Sequence, residues 1–327
     1  MKILVTGATG FIGTCLIRRL IPKGYRLRCL VRKTSRTRAL AEREIELFIG
    51  DVTDKDTLIK AMTGCNRVLN LANVYSFWER DPRIYYEVNV EGTRKVMEAA
   101  LEMGIDKVVH VSTAGIFGRP SEIPFSEESP VGPKRFSEYF RTKYEGDLIA
   151  WKLYKERHLP LVMIYPVAVL GPGDTKATGQ YIARLINKRL PATVFENKRF
   201  TFVHVEDVAE AIIKAAEKEN NFGEKYIIGN QCLTFGEINR MVSEIAGVAL
   251  PGIRMPDFLT MINARLLTIL ANIIKKPPLW GMATDQMRVM KAEFVADGSK
   301  AEKELGITYT PIRNAIEETI ISIRKNT

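Results

Sequence analysis

Tyr139 and Lys143, in Tyr139-Phe-Arg-Thr-Lys143, have the types and spacing to do chemistry together. On a helix, positions i and i+4 share one face, so the spacing predicts an ammonium beside a phenol. That ammonium favours phenolate and lowers the phenol pKa from about 10 toward working pH. Such a tyrosine can pass a proton to or from a substrate hydroxyl. Upstream, the apolar run Lys107–Ser112 delivers Ser112-Thr113, whose hydroxyls could hold the same oxygen. Tyr-x-x-x-Lys alone is a common accident; it becomes specific when a nucleotide site precedes it.

The first thirteen residues supply that site. Ile3-Leu4-Val5 reads as a buried strand that breaks at Gly7, and a helical pattern runs from Phe11 through Ile12, Leu16, Ile17 and Leu20. Gly7 permits the turn, Gly10 lets backbone approach a pyrophosphate, and Gly13 lets the helix pack close to the strand. The helix start offers N–H groups and a positive dipole end to an anion, with Thr9, Phe11 and Ile12 completing the expected cradle.

Positioning these residues needs alternating strands and helices. Strands are expected at Lys2–Thr6, Arg26–Val31, Glu44–Ile49, Arg67–Leu71, Lys107–Ser112 and Leu161–Tyr165. Helices are expected at Phe11–Ile21, Arg36–Arg43, Asp54–Met62, Pro82–Met103, Phe136–His158 and Thr178–Asn187. This alternation implies an α/β fold with a doubly wound parallel sheet. Ligands in such sheets bind beyond the carboxyl ends of the strands.

The second strand ends at Arg32-Lys33 where an NAD-selective site usually has an acid, so NADP is favoured and NAD remains possible; Arg36 or Arg38 would assist. After the third strand, Asp51 could accept from an adenine amino group, or serve as a turn aspartate, while Val52 packs on the ring. Asp54 is the expected N-cap of the next helix. Leu71, Ala72 and Asn73 leave room for cofactor. The aromatic cluster that follows, with Tyr75 and Trp78, either lines a substrate cleft or packs the loop. Asn89, inside a helix, either caps a neighbouring loop or binds cofactor.

These stretches together resemble the extended short-chain dehydrogenase/reductase family, also described as the NAD-dependent epimerase/dehydratase family. The resemblance rests on Thr6-Gly-Ala-Thr-Gly-Phe-Ile-Gly13, Asp51-Val52, Asn89-Val-Glu-Gly-Thr93, Ser112-Thr113-Ala-Gly, Tyr139-x-x-x-Lys143, Gly171-Pro-Gly-Asp174 and Phe202-Val-His-Val-Glu-Asp-Val-Ala209. It implies a Rossmann domain over residues 1–170 and a smaller, mostly helical substrate domain over 171–327, with segments of the latter returning to the sheet. By the same resemblance Tyr139 is the general acid/base, Lys143 binds the nicotinamide ribose, and Thr113 orients the substrate oxygen, with Ser112 as fallback. Tyr165, Pro166 and Val169 are implied at the cofactor, and Ala114 and Ala168 at the substrate.

Ala114-Gly115 stand where the family's dehydratases carry an Asp-Glu pair, and Ala168 stands near the asparagine of its nucleotide-sugar epimerases. The first departure argues against dehydration and the second weakens nucleotide-sugar binding, while the Leu30-Val-Arg32 strand end, the Tyr75…Trp78 loop and Pro166 resemble the dihydroflavonol-reductase-like branch. The leading expectation is an NADP-dependent ketone reductase or alcohol dehydrogenase. The second is a nucleotide-sugar 4-epimerase holding NAD tightly, and the third an NADP-sensing binding protein.

Composition narrows the alternatives. With 46% apolar and 26% charged residues the chain reads as globular. Cys15, Cys29, Cys65 and Cys232, and likewise His110, His158 and His204, are scattered singly, so neither a disulfide framework nor a metal site is expected. No leader-like pattern precedes Gly7, and a cytoplasmic location is the expectation. Of the formal charge of +10, part lies between Thr14 and Ala41, a span without an acid. No nucleic-acid-binding motif accompanies it, so a local phosphate partner is preferred to nucleic acid. A homodimer is expected. Phe258–Ile274, with twelve apolar residues in seventeen and Arg265 its only charge, is too short to span a bilayer comfortably and is expected to be a buried or substrate-covering helix. A dimer contact is the next reading, and an interfacial membrane helix suited to an apolar substrate is the third. The helix at Glu206-Asp207 is expected to be capped by its acidic start.

Overall fold

The structure is a computed structural model that describes residues 1–41 and 45–325. Seven parallel strands form the central sheet: β1 (Lys2–Thr6), β2 (Arg26–Val31), β3 (Ile45–Ile49), β4 (Arg67–Asn70), β5 (Lys107–Val111), β6 (Leu161–Pro166) and β7 (Lys225–Ile228). Their order is β7-β6-β5-β4-β1-β2-β3, so the winding reverses between β1 and β4. A crevice opens at that reversal, which is where doubly wound sheets bind dinucleotides. Six strands coincide with the apolar runs to within a residue, apart from Glu44, which lies outside the described residues. So does the end of the expected Arg36–Arg43 helix, whose described part is Arg38–Ala41. β7 lies in the second half of the chain and pairs with β6, Tyr226 opposite Ile164.

Alternation along each strand feeds two cores. Leu4 faces one layer, while Ile3 and Val5 face the other. Lys55–Met62, Thr93–Glu102 and Glu138–Arg157 cover the first side, and Phe11–Leu20 packs against Val205–Glu217 on the second. Local caps fix these entries. Asp54 accepts from Thr57 N–H and Ser137 from Phe140 N–H. The Val205–Glu217 helix is not capped by its acids as expected. His204 Nδ1 accepts from Glu206 N–H at 3.0 Å, while Glu206 and Asp207 sit in the first turn beside the positive dipole end.

The same packing absorbs much of the basic stretch. Arg18 and Arg19 pair with Glu206, Arg19 with Glu210, and Lys23 with Glu217 at 2.9 Å. Arg28 pairs with Glu46 and donates to the carbonyls of Ala61 and Thr63. These long-stemmed cations therefore hold layers together rather than forming an open anion surface.

Beyond β6 the chain builds a three-stranded sheet from Ala168–Leu170, Arg199–His204 and Gln231–Thr234. Around it stand the helices Ala177–Ile186, Phe235–Ala246 and Ile312–Lys325. The expected Pro82–Met103 helix is continuous but contains a π-helical segment, Tyr86–Gly92. The Asp257–Ile274 helix corrects the leading expectation for it. Only Thr260, Ala264 and Ala271 are buried, and its outward face is apolar. Its 18 residues also meet the length and hydropathy of a bilayer span, contrary to the expectation that it falls short.

Candidate active site

A cleft of about 710 Å³ runs across the carboxyl ends of the parallel strands. Gly7, Arg32, Asp51, Ala72, Thr113 and Pro166 reach it from the ends of β1 to β6 in turn. The glycine turn is tight enough that side chains are excluded. Gly7 has φ +68°, and a Cβ there would come within 2.8 Å of Leu71 and Ala72 backbone. A Cβ on Gly13 would lie 2.2 Å from the Gly7 carbonyl oxygen. Gly10 caps the Phe11–Leu20 helix with no side-chain hydrogen bond, so the first-turn N–H groups remain available to an anion. This cradle, which a Cβ would fill, fits a dinucleotide pyrophosphate. Thr6 braces it by accepting from Ala72 N–H at 3.1 Å and donating to Asn70 at 2.6 Å.

Of the predicted cofactor residues, Gly7, Thr9, Gly10, Phe11, Ile12, Gly13, Arg32, Asp51, Val52, Leu71, Ala72, Asn73, Tyr139, Pro166 and Val169 line the cleft. Tyr75, Thr113, Ala114 and Ala168 line it from the substrate list. Asp51 does both things weighed for it: Oδ1 closes a turn by accepting from Thr53 N–H at 2.9 Å, while the residue still borders the cleft.

Five predicted residues do not form the wall. Lys33 is exposed and off the cleft, because successive positions past a strand end point apart. Tyr165 is fully buried in the core, where its oxygen accepts from Trp151 Nε1 at 3.4 Å. Trp78 turns outward and donates to Asn272 at 2.9 Å. Asn89 is the loop tie rather than a cofactor contact: its oxygen accepts from Val74 N–H at 2.8 Å and its amide donates to Thr142 at 3.0 Å. The π-helical register sets it there, and Gly146 permits the approach, since a Cβ would sit 2.4 Å from Asn89 O. Lys143 lies just behind the wall, 1% exposed, donating to Val111 O at 3.0 Å.

The proton chemistry differs from the sequence expectation. Burial pushes the Tyr139 phenol above its ordinary value, with Tyr75 and Asp147 adding to the rise and a hydrogen bond from Thr113 opposing it. Desolvation outweighs the ammonium, which faces Val111 and His110 instead. Lys143 is itself pushed down to about 8 by burial, with Asp147 opposing. Behind the wall lies a buried polar chain: Asn70 Nδ2 meets His110 Nδ1 at 2.8 Å, His110 Nε2 lies 3.4 Å from Lys143 Nζ and 3.5 Å from Asp147 Oδ1, and Ser112 donates to Asp147 at 2.7 Å. Ser112 is thereby occupied, which leaves Thr113 as the hydroxyl at the cleft.

Sequence reasoning missed Ser35 beside Arg32, and it missed most of the far wall. That wall carries Phe77, Phe140, Phe200, Phe235, Phe294 and Met290. Tyr75 packs edge-on against Tyr139 at 5.1 Å and Phe140 against Phe294 at 5.7 Å. The alternation Arg199-Phe-Thr-Phe-Val-His204 carried a strand signal that could have found part of it.

The sequence profile of the NAD dependent epimerase/dehydratase family matches residues 3–229. The chain belongs to this family. Its relatives among epimerase/dehydratase-family enzymes include reductases. A putative dihydroflavonol 4-reductase of Synechocystis sp. is 30% identical, with 97% of this chain and 92% of the relative covered. Sterol demethylase protein B of Methylococcus capsulatus is 30% identical over 99% of each chain. The crystal structure of gox2253 superposes with a TM-score of 0.86 at 36% identity, covering 99% of this chain and 98% of that one. The glycine cradle and the cleft at the β1/β4 reversal are thus those of a family of NAD(P)-dependent enzymes.

Proposed function

We propose that the protein is an NADP-dependent oxidoreductase that moves hydride between nicotinamide and an apolar ketone or secondary alcohol. One observation carries the reading: the Tyr139 phenol and Thr113 hydroxyl meet where the glycine-cradle end of the cleft gives way to an aromatic end. The glycine turn would hold the pyrophosphate, Arg32 with Ser35 a 2′-phosphate, and Val52 the adenine, and the bound dinucleotide supplies or takes the hydride. Tyr139 donates its proton to the carbonyl oxygen in reduction, and burial keeps that proton in place. Thr113 Oγ1 accepts from Gly115 N–H at 3.2 Å and bonds to the Tyr139 phenol, and on substrate binding its proton would turn to the same carbonyl oxygen. Lys143 stands one layer behind, held by Val111 O and His110, and by family resemblance is the residue that meets the ribose. Lys176 is the one cation among the described residues lining the substrate end, which supports an apolar substrate over a nucleotide-sugar diphosphate.

The test is Tyr139→Phe with NADPH and NADH against a panel of apolar ketones. Turnover should fall by about 10²–10⁴ while NADPH binding, followed by its fluorescence, is retained. Unchanged turnover would refute the assignment.

A further inference from the structure

The Asp257–Ile274 helix is amphipathic the wrong way round for a helix on the surface of a water-soluble body. At about 100° per residue, Phe258, Ile269, Ile262, Ile273, Leu266 and Leu270 fall in one continuous arc of roughly 120°. All six are exposed, from 46% at Leu270 to 72% at Ile273. The opposite side, Thr260, Ala264 and Ala271, is buried against the protein, and Thr284 bonds to Thr268 and to the Ala264 carbonyl there. The helix therefore lies along the body and faces outward with its apolar arc. Leu279 and Trp280, just past its end, are exposed as well.

Charge identifies what the arc meets. Arg265 stands at its edge, and Lys275-Lys276 follow its last turn. Along its N-terminal flank runs a groove floored by Phe136, Phe258 and Met261, and bordered by Arg119, Arg265, Arg288 and Lys291. The acids that answer these cations are few: Asp285 pairs with Arg288, and Glu293 is engaged by Lys198 and Arg199. A second copy of this chain would set these cations against their own kind. A bilayer of anionic lipid meets both halves of the surface, with headgroups at the cations and acyl chains at the arc, and Trp280 suits the boundary between them.

We propose that this face docks the protein on an anionic lipid surface, with the helix lying in the interface plane. The surface adjoins the cleft. The Thr284–Ala292 helix presents Val289 and Met290 to the cleft and Arg288 and Lys291 to the groove, and Trp78 ties the cleft loop to Asn272. Docking stands independently of the reaction proposed above, because the test reads vesicle binding and not turnover.

The full chain is floated with phosphatidylcholine vesicles and with vesicles that also contain phosphatidylglycerol, at low and high salt. The expected result is flotation with the anionic vesicles, weakened by salt. Ile262→Glu/Leu266→Glu/Ile273→Glu should reduce partitioning by about 100-fold or more, since each removes inserted apolar area and adds a charge. Unchanged thermal melting would show that the variant is folded. Two results overturn the proposal: failure of the wild type to float with anionic vesicles, or a stable dimer in sedimentation that the triple substitution dissociates. Equal flotation with both vesicle types overturns the headgroup half.

Discussion

His110→Asn should flatten the acid side of the stability profile. His110 is fully buried, and burial is the largest cause of its pKa falling from 6.5 to about 4, with Lys143 adding to the fall and Asp147 opposing it. Folding therefore favours the neutral ring. As pH drops from 6.5 toward 4, the unfolded chain takes up a proton that the folded chain refuses, and stability falls through that window. At 1.36 kcal/mol per pKa unit the full effect is about 3 kcal/mol, of which roughly 2 kcal/mol is lost between about pH 7 and about pH 4.5. Asparagine keeps an acceptor near the Nδ1 position for Asn70 but cannot titrate. Urea unfolding of both proteins at the two pH values gives the double difference, in which carboxylates common to both cancel. The wild type should lose about 2 kcal/mol more than the variant over this interval. Parallel losses would mean that the folded ring titrates as the unfolded one does, and that the buried chain behind Tyr139 takes up a proton in this window.

Three further outcomes follow from the same geometry. Gly13→Ala should abolish NADPH binding by titration calorimetry, because its Cβ would lie 2.2 Å from the Gly7 carbonyl oxygen and the turn must open; retained affinity would remove the glycine turn from the cofactor site. Arg32→Asp should shift preference from NADPH toward NADH, by about 10-fold or more for loss of a charge-assisted contact to the 2′-phosphate, and an unchanged kcat/KM ratio would count against NADP. Asn89→Ala should cost about 1–3 kcal/mol in urea unfolding by stranding the Val74 N–H and Thr142 partners, with a loss under about 0.5 kcal/mol contradicting the loop-tie role.

The seven-strand parallel sheet and the glycine turn were legible because their signals are local: apolar runs, breaks at glycine, and caps such as Asp54. So was the Thr113/Tyr139 pairing, because Thr113 lies just past the end of β5 and Tyr139 opens the Glu138–Arg157 helix, which packs on the turn that follows Thr113. Trp78 and Tyr75 show where legibility stops. Both sit in one aromatic loop, yet one turns into the cleft and the other to Asn272. The far wall was not legible, since Phe140, Phe200 and Phe294 come from three separate elements joined only by packing.

Sequence by itself determined the fold class, the family and the dinucleotide cradle, since each depends on residue types at short spacing. Tertiary structure decided how charges and apolar surfaces are spent across distance. Arg18, Arg19, Lys23 and Arg28 of the basic stretch after the glycine turn are taken up by Glu206, Glu210, Glu217 and Glu46, which no local pattern links to it. The Tyr139 phenol is raised because burial outweighs a lysine that the fold turns toward Val111 and His110. The apolar Asp257–Ile274 helix is outward-facing for a similar reason: its periodicity shows an apolar face, but only packing shows which side the protein covers.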